Sequence, residues 1–201
     1  MTFSDKPTFT GKRVVLRPAG PEHADGLWEL VRDPETRRLT GSHGGFNQEA
    51  TRLWYATRAE HGDRLDLAIC DAADGSYVGE IVLNELDTAN MSCNLRIALV
   101  GPRVYGKGYG TEATRLVLAH AFETVGLHRV SLEVFAFNAR AHHVYEKVGF
   151  VKEGVLRDAL RWDGEWHDAI VMSVLAPDWN IHRGHPPVRR PTREDSPAET
   201  H

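Results

Sequence analysis

A glycine-rich segment in the middle of the chain has the composition of an anion-binding turn. It reads Tyr105-Gly106-Lys107-Gly108-Tyr109-Gly110-Thr111 and lies between a predicted strand and a predicted helix. Its three glycines let the backbone approach a ligand closely and adopt dihedral angles that other residues avoid. The free N–H groups and the dipole of the following helix, together with the charge of Lys107, favour a phosphate group. Glycine spacing alone fits both a phosphate-binding turn and a merely flexible one.

The spacing of these glycines excludes two well-known phosphate-binding motifs. A P-loop has the pattern GxxxxGK followed by serine or threonine, and the segment lacks that spacing. A dinucleotide-binding GxGxxG fingerprint also fails, because Thr111 occupies the position of the third glycine. If the turn binds a phosphate, it does so as a different motif.

Hydrophobic periodicity predicts the elements that position this turn. Leu95, Ile97 and Leu99 alternate with other residues in a strand predicted over 93–100. Helical spacing of apolar residues predicts a helix over 111–123 after the turn. The other predicted strands cover 13–18, 65–70, 77–83, 130–137, 150–156 and 166–175, and the other predicted helices cover 21–31, 48–61 and 139–148. The chain is therefore predicted to be of the α/β (α+β) class, with about seven strands and about four helices.

The last 25 residues or so differ in composition from the rest. Residues 177–201 contain four prolines after residue 185, few apolar residues, and basic charges followed by acidic ones. Such a composition buries too little apolar surface to fold, and predicts a disordered tail. We therefore predict one domain over 1–176 and a tail over 177–201.

Bulk properties exclude several classes of function. A formal net charge of −4 disfavours a general nucleic-acid binder, which is normally basic. The chain has no apolar run of about 18 residues and no apolar core near its N-terminus, so neither a membrane span nor a signal peptide is predicted. Cys70 and Cys93 lie in apolar stretches and are predicted to be buried free thiols in a reducing compartment. The histidines form no HExxH-like array, so no metal site is predicted. We expect a cytoplasmic protein without nucleic-acid or membrane partners.

Three separated segments resemble the GNAT superfamily of N-acetyltransferases, over about residues 10–175. The turn is similar to the acetyl-CoA pyrophosphate loop, Gln/Arg-x-x-Gly-x-Gly/Ala, with Tyr105 at the Gln/Arg position and Gly108 and Gly110 matching. An aromatic residue at that position resembles the branch of ribosomal-protein N-terminal acetyltransferases (RimJ/RimL type). The other segments are residues 10–18 followed by Asp33-Pro34-Glu35, and Asn138-x-x-Ala141-x-x-Val144-Tyr145-x-x-x-Gly149-Phe150.

The resemblance implies a single GNAT domain with a mixed, mostly antiparallel sheet and acetyl-CoA as the acyl donor. Main-chain N–H groups from Gly106 to Thr111 would hold the pyrophosphate. The pantetheine would lie along the strand that ends at Leu99 and Val100, and the Leu99 N–H would face the thioester oxygen as an oxyanion hole. We expect a monomer or a homodimer.

Two side chains after the turn take their roles from the same resemblance. Considered on its helix alone, Tyr145 is better explained by packing, but the family pattern makes it the general acid that protonates the departing thiolate. A phenol with a pKa of about 10 is protonated at neutral pH and can serve in this way. Asn138 could cap a helix, and the resemblance implies that it hydrogen-bonds the pantetheine.

The general base has several candidates. Some GNAT enzymes carry a glutamate near the start of the strand before the loop, where this chain has Asn94. Glu80 on the preceding strand is the leading substitute, acting through water, although an exposed strand carboxylate is the simpler interpretation. Asp168 and His143 are weaker candidates. A weak base favours an amine of low pKa, so α-amines are expected to react faster than lysine side chains.

The acceptor stays open at this point. One hypothesis is an enzyme that acetylates a protein N-terminus, and a second is an enzyme for a small amine such as an antibiotic, polyamine, amino sugar or amino-acid derivative. A third is a catalytically silent acyl-CoA-binding module, because a fold alone does not establish activity. The polar stretch over 40–48 is predicted to border the acceptor site, but loops of this kind diverge too much to choose among the three.

Overall fold

A computed structural model describes residues 1–182 of the 201-residue chain. Within these residues eight strands form one mixed sheet in the order β1-β2-β3-β4-β5-β6-β8-β7, and β5 and β6 are its parallel pair. The predicted mixed, mostly antiparallel sheet is confirmed, and the additional strand is the two-residue β1. The strands are β1 Phe9–Thr10, β2 Val14–Pro18, β3 Leu65–Asp71, β4 Tyr77–Asp87, β5 Ser92–Leu99, β6 Arg129–Phe135, β7 Val151–Trp162 and β8 Glu165–Leu175.

Six α-helices lie in the same part of the chain, and four of them correspond to the predicted ones. The helices are α1 Ala24–Arg32, α2 Pro34–Thr40, α3 Gln48–Thr57, α4 Tyr109–Ala119, α5 Ala139–Lys147 and α6 Ala176–His182. A π-helical turn, His120–Thr124, extends α4 to the length that the sequence predicts. Helices α2 and α6 are additional to the prediction.

Helix α2 begins at an Asp-Pro pair directly after α1. The Asp33 carboxylate accepts a hydrogen bond of 2.7 Å from the N–H of Thr36, which makes Asp33 the N-cap. Pro34 occupies the first helical position, where its missing N–H costs nothing. Gly41, with φ 65°, ends the helix in the left-handed conformation. The Asp33-Pro34 pair therefore ends α1 and begins α2 at once.

Helix α6 corrects the predicted domain boundary at residue 176. Its Trp179 side chain is only 5% exposed, and the indole N–H donates a hydrogen bond of 2.9 Å to Glu123. The Trp179 ring also lies 6.0 Å from the ring of Phe122. The prediction of a disordered tail is therefore wrong for residues 177–182, and the rest of the predicted tail lies outside the described residues.

The two faces of the sheet carry different side chains. On β4 and β5 the odd-numbered Ile81, Leu83 and Leu95 are buried in a core that they share with α4 and α5. Successive side chains of a strand point to opposite faces, so the even-numbered Glu80 and Ala98 face the other layer. There Ala98 packs against a second cluster that includes residues of α1 and α3. Glu80 is thus a carboxylate on the floor beneath α1–α3.

A cleft opens in the middle of the sheet between β5 and β6. The two strands pair only from Ser92 to Asn94 on β5 and from Arg129 to Ser131 on β6. Beyond Asn94 they separate, while β5 continues to pair with β4 as far as Leu99. The outer edge of β5 from residue 95 to 99 is therefore free of a neighbouring strand, at the end that leads into the glycine-rich turn.

Cys70 and Cys93 are buried free thiols, as predicted. Among residues 1–182, no group of three or more histidine, cysteine, aspartate or glutamate side chains is arranged to hold a metal ion. No helix in this part of the chain combines the length and the hydrophobicity that crossing a bilayer requires.

Candidate active site

The glycine-rich turn connects β5 to α4 through two residues in the left-handed conformation. Gly106 has φ 75° and Gly108, the N-cap of α4, has φ 84°. A side chain at either position would be strained, so these two glycines are required by the backbone. Gly110 lies inside the helix, where an added Cβ would make an ordinary contact 3.7 Å from the Leu99 side chain. Its lack of a side chain leaves room beside β5.

The turn is braced from the side of β2. The Arg13 guanidinium donates a hydrogen bond of 3.1 Å to the carbonyl oxygen of Lys107. The Glu112 carboxylate accepts hydrogen bonds from the backbone N–H groups of residues 12–14, at 3.0, 2.7 and 3.0 Å. These contacts fix the turn relative to the sheet.

The first turn of α4 has backbone donors without partners in the helix. The N–H of Glu112 bonds to the Gly108 carbonyl at 3.1 Å, so the amides of residues 109–111 precede the first helical hydrogen bond. The Tyr109 hydroxyl donates to the Asp71 carboxylate, which directs this side chain towards β3. Tyr109 can therefore contribute to a ligand at the turn only through its backbone. Free amides at the N-terminus of an eleven-residue helix fit a phosphate group.

The end of β5 offers a free backbone donor at the cleft. The Val100 N–H donates to the Val78 carbonyl at 3.0 Å, so this residue faces β4. In an antiparallel pair the direction alternates, and the Leu99 N–H therefore faces the cleft. The Leu99 carbonyl accepts from the N–H of Gly101 at 2.9 Å and from the Thr36 hydroxyl at 3.3 Å. The structure thus separates the two residues: Leu99 is available to a ligand through its N–H, and Val100 is buried with its N–H committed to the sheet.

A cavity of about 790 Å³ fills the cleft and continues beneath α2 and α3. Six of the predicted site residues line it: Glu80, Leu99, Tyr105, Gly110, Asn138 and Tyr145. The other predicted residues do not line it: residues 106–109 and Thr111 are only neighbours of the lining residues in the chain, and Val100 is buried. The cavity volume lies within the range typical of small-molecule sites.

Tyr105 and Asn138 supply polar groups to the cavity wall. The Tyr105 ring lies under the Arg140 guanidinium, 3.9 Å from its carbon to the ring centroid, and burial raises the pKa of this phenol. The Asn138 side-chain oxygen accepts a hydrogen bond of 3.2 Å from the N–H of Ala141, which makes Asn138 the N-cap of α5. Its amide nitrogen stays available as a donor, so capping and ligand binding are compatible.

Tyr145 is a buried phenol on the wall of the cavity. Its side chain is 6% exposed and packs edge-on against Phe150, with ring centroids 5.7 Å apart. Burial raises its pKa, so the phenol is protonated at neutral pH. No hydrogen bond joins its hydroxyl to another residue within 1–182. The proton of Tyr145 is therefore available to a ligand in the cavity.

Glu80 lies on the cavity floor and is hydrogen-bonded by a tyrosine. The Tyr55 hydroxyl donates a hydrogen bond of 2.8 Å to the Glu80 carboxylate and lies 3.1 Å from the Tyr77 hydroxyl. Burial raises the pKa of Glu80, against the opposing effects of the Tyr55 hydrogen bond and of the Arg96 charge. A carboxylate with a raised pKa is a stronger base than an exposed one. Glu80 is therefore not the exposed strand carboxylate that was the simpler interpretation of the sequence.

The comparison with family models decides the family. The model described as the Acetyltransferase (GNAT) domain matches residues 13–151, which is more than half of the chain. The chain belongs to the GNAT acetyltransferase family. As a member, it is an acyl-CoA-dependent acetyltransferase, and its fold is the GNAT fold.

Known relatives of this GNAT domain are named for different acceptors. It is 28% identical over 173 residues to the Bacillus subtilis (strain 168) protein named "Putative ribosomal N-acetyltransferase YdaF", covering 84% of this chain and 94% of that protein. It is 29% identical over 141 residues to the spermidine N(1)-acetyltransferase of Escherichia coli (strain K12), covering 64% and 75%. The crystal structure of spermidine N-acetyltransferase from Vibrio cholerae in complex with CoA and spermine has the same fold, with a TM-score of 0.78 at 21% identity over 85% of this chain and 99% of that one.

The other candidate bases of the GNAT domain lie in different places. Asn94 lines the cavity and donates to the Asn84 side chain at 3.2 Å. Asp168 accepts a hydrogen bond of 2.9 Å from the N–H of Asp158 in the β7–β8 hairpin. Neither Asp168 nor His143 lines the cavity. Of the carboxylate and imidazole candidates Glu80, Asp168 and His143, Glu80 is therefore the one that lines the cavity.

Tyr55 is the site residue that the sequence analysis missed. It lies in the predicted second helix and is 1% exposed. Its spacing from Glu80, 25 positions along the chain and across a loop and a strand, has no periodicity that a pattern could detect. A polar aromatic residue on the buried face of a helix was the available signal, because a buried phenol normally finds a hydrogen-bond partner.

Proposed function

We propose that this GNAT domain transfers the acetyl group of acetyl-CoA to a primary amine, the α-amine of a protein or peptide, by direct attack in a ternary complex. The observation that carries the proposal is the cavity, which joins the free Leu99 N–H, the Tyr145 phenol and the Glu80 carboxylate in one space. Donor and acceptor can meet there, so a covalent enzyme intermediate is not required.

The donor side follows from the turn. The backbone amides from Gly106 to Thr111 would bind the pyrophosphate, with Lys107 as an additional charge, because a helix N-terminus favours a phosphate. The pantetheine would then run along the free edge of β5 and hydrogen-bond Asn138. The distance between the turn and Tyr145 is spanned by the cavity itself, which both Gly110 and Tyr145 line.

The chemical step needs three groups. Glu80, directly or through water, accepts the proton of the attacking amine, and the amine nitrogen forms a bond to the thioester carbonyl carbon. The Leu99 N–H stabilises the negative charge that develops on the thioester oxygen, an effect typically worth about 10²- to 10³-fold in rate. The carbon–sulfur bond breaks, and the departing thiolate takes the proton of Tyr145.

The free-energy cost of deprotonating the acceptor favours an amine of low pKa. Deprotonating a lysine side chain of pKa about 10.4 at pH 7 costs about 4.6 kcal/mol, whereas an α-amine of pKa about 7.8 costs about 1.1 kcal/mol. Asn94 stands where some family members have a glutamate on β5, and the proposed base is Glu80 on the neighbouring strand. An α-amine needs less help from the protein.

A small-amine acceptor is the second candidate, and the resemblance to spermidine acetyltransferases favours it. A non-catalytic acyl-CoA-binding module is the third. The buried Tyr145 proton and the raised pKa of Glu80 argue against the third, because a binding module has no use for either.

Release of free thiol from acetyl-CoA tests the proposal. Matched peptides would offer either a free α-amine with an acetylated lysine or a free lysine with an acetylated N-terminus, and polyamines would form a third group. We expect the highest kcat/KM with the α-amine peptides. Equal or reversed rates would contradict the α-amine assignment, and CoA binding without thiol release for any amine would identify a binding module.

A further inference from the structure

The arginines that line the cavity differ in whether they have a partner. Arg64 forms two hydrogen bonds of 2.6 Å to Asp66, and Arg37 donates to the carbonyl oxygens of Ser42 and Gly44. Arg140 stacks on a tyrosine ring and lies 3.9 Å from a glutamate. The fourth, Arg96, makes no hydrogen bond or ion pair with any other residue of the described chain.

Arg96 lies beyond Glu80 on the acceptor side of the floor. In the β4–β5 register Glu80 is opposite Ala98, and Val82 is opposite Arg96. Arg96 is therefore one row further from the turn than Glu80 on the same face, or about 7 Å along the strand. An acceptor whose amine reaches the Leu99 end of β5 would extend its remaining atoms past Arg96.

The opposite wall of the cleft carries a charge of the other sign. Glu133 lies on β6 two residues beyond Ser131, the last residue that pairs with β5, and it lines the cavity. It too makes no hydrogen bond or ion pair within residues 1–182, and so no ion pair joins it to Arg96. The acceptor side therefore presents one unpartnered cation and one unpartnered anion across the cleft.

We propose that Arg96 is an acceptor-binding residue and that the acceptor is an amine that also bears a carboxylate, either a free amino acid or a peptide with an acidic residue near its N-terminus. This inference rests on the proposed acetyl transfer and specifies its substrate class. A guanidinium presents a planar fork of donors that fits a carboxylate. A polyamine carries only positive charge and would meet Arg96 as a like charge. A carboxylate on the acceptor offers Arg96 a counter-charge and leaves the amine free to reach Leu99 and Glu80.

Pairs of acceptors that differ in one carboxylate test the inference, with the change of each ratio between wild-type and variant protein as the readout. Peptides with aspartate or asparagine at the second position form one pair, a free amino acid and its amide form the other, and spermidine is the cationic reference. We expect the wild-type protein to favour the carboxylate member of at least one pair by tenfold or more in kcat/KM. The pair that shows the preference distinguishes a peptide from a free amino acid.

Variants at Arg96 locate the preference. The Arg96→Met variant should lose the ratio between the two members, and Arg96→Lys should retain part of it, because a lysine keeps the charge without the fork. The ratio is the readout because Arg96 also influences Glu80, and an effect on the base changes both members equally. Arg161→Met removes the same charge from β7, outside the cavity, and should leave the ratio unchanged. Circular dichroism and Tm establish that each variant is folded.

Three results would overturn the inference while acetyl transfer stands: equal rates for both members of every pair, a preference for spermidine over all of them, or a wild-type ratio that Arg96→Met retains. A complete lack of thiol release with every amine would instead overturn the proposed function. The two failures are therefore distinguishable.

Discussion

The hydroxyl of Tyr55 on α3 donates a hydrogen bond of 2.8 Å to the carboxylate of Glu80 on β4. The contact joins a helix that lines the cavity to the strand that forms the cavity floor. Burial raises the pKa of both groups. The Tyr55 phenol therefore keeps its proton, and the Glu80 carboxylate is more basic than an exposed one. Helix α3 is therefore coupled to the proposed general base through a single hydrogen bond.

Removal of this hydrogen bond should change the pH dependence of the reaction. The Tyr55 hydrogen bond lowers the pKa of Glu80, so Tyr55→Phe should raise that pKa further. A base must be deprotonated to act, and activity rises as the pH passes upward through its pKa. The acidic limb of the kcat/KM profile should therefore move to higher pH in Tyr55→Phe. Tyr77→Phe is the control, because its hydroxyl contacts Tyr55 and makes no hydrogen bond to Glu80, and an unmoved limb in Tyr55→Phe would exclude the coupling.

Loss of the carboxylate itself should reduce turnover. General-base catalysis is typically worth about 10²- to 10⁴-fold, so Glu80→Gln should lower kcat by about 10²-fold or more on an α-amine. The Kd for CoA should stay within about twofold, because Glu80 lies on the acceptor side. Glu85→Gln removes another carboxylate that lines the cavity and is the matched control. A Glu80→Gln variant with the kcat of the wild-type protein would show that Glu80 is not the base.

Much of this site follows from sequence, and the reasons for the exceptions are physical. The turn was predictable because the left-handed backbone at residues 106 and 108 requires glycine, and glycine can be recognised directly in the sequence. The Tyr55–Glu80 contact was not, because it depends on how α3 packs over the sheet. Helix α2 was missed because Asp33-Pro34 is both a stop and a start signal, and only the packing of the following residues decides between them.

Replacement of Tyr145 separates chemistry from binding. The Tyr145 hydroxyl has no hydrogen-bond partner among residues 1–182, so Tyr145→Phe leaves no buried group unsatisfied and should change Tm little. If the phenol protonates the thiolate, kcat should fall by about 10²-fold while CoA binding by calorimetry is unchanged. A fall in CoA affinity with unchanged kcat would instead make Tyr145 a binding residue.

The two classes of glycine in the turn should respond differently to alanine. Gly108→Ala places a side chain at φ 84°, a strain of about 1–2 kcal/mol, and should weaken CoA binding by about tenfold. Gly110→Ala adds a Cβ inside α4 at an ordinary contact distance and should stabilise the helix by about 1 kcal/mol in the protein without CoA. Calorimetry for CoA and urea unfolding without ligand measure the two effects. Equal losses of stability in both variants would contradict the distinction.

Trp179 should be part of the folded domain and not of a tail. It is 5% exposed and its indole N–H bonds to Glu123, so Trp179→Ala removes a buried aromatic side chain and should lower the free energy of unfolding by about 3–5 kcal/mol. Ile181→Ala, on the same helix but 56% exposed, should change it by no more than about 0.5 kcal/mol. Urea denaturation of both variants compares them directly. If Trp179→Ala unfolds at the same urea concentration as the wild-type protein, α6 contributes nothing to the domain, and the boundary at residue 176 would be restored.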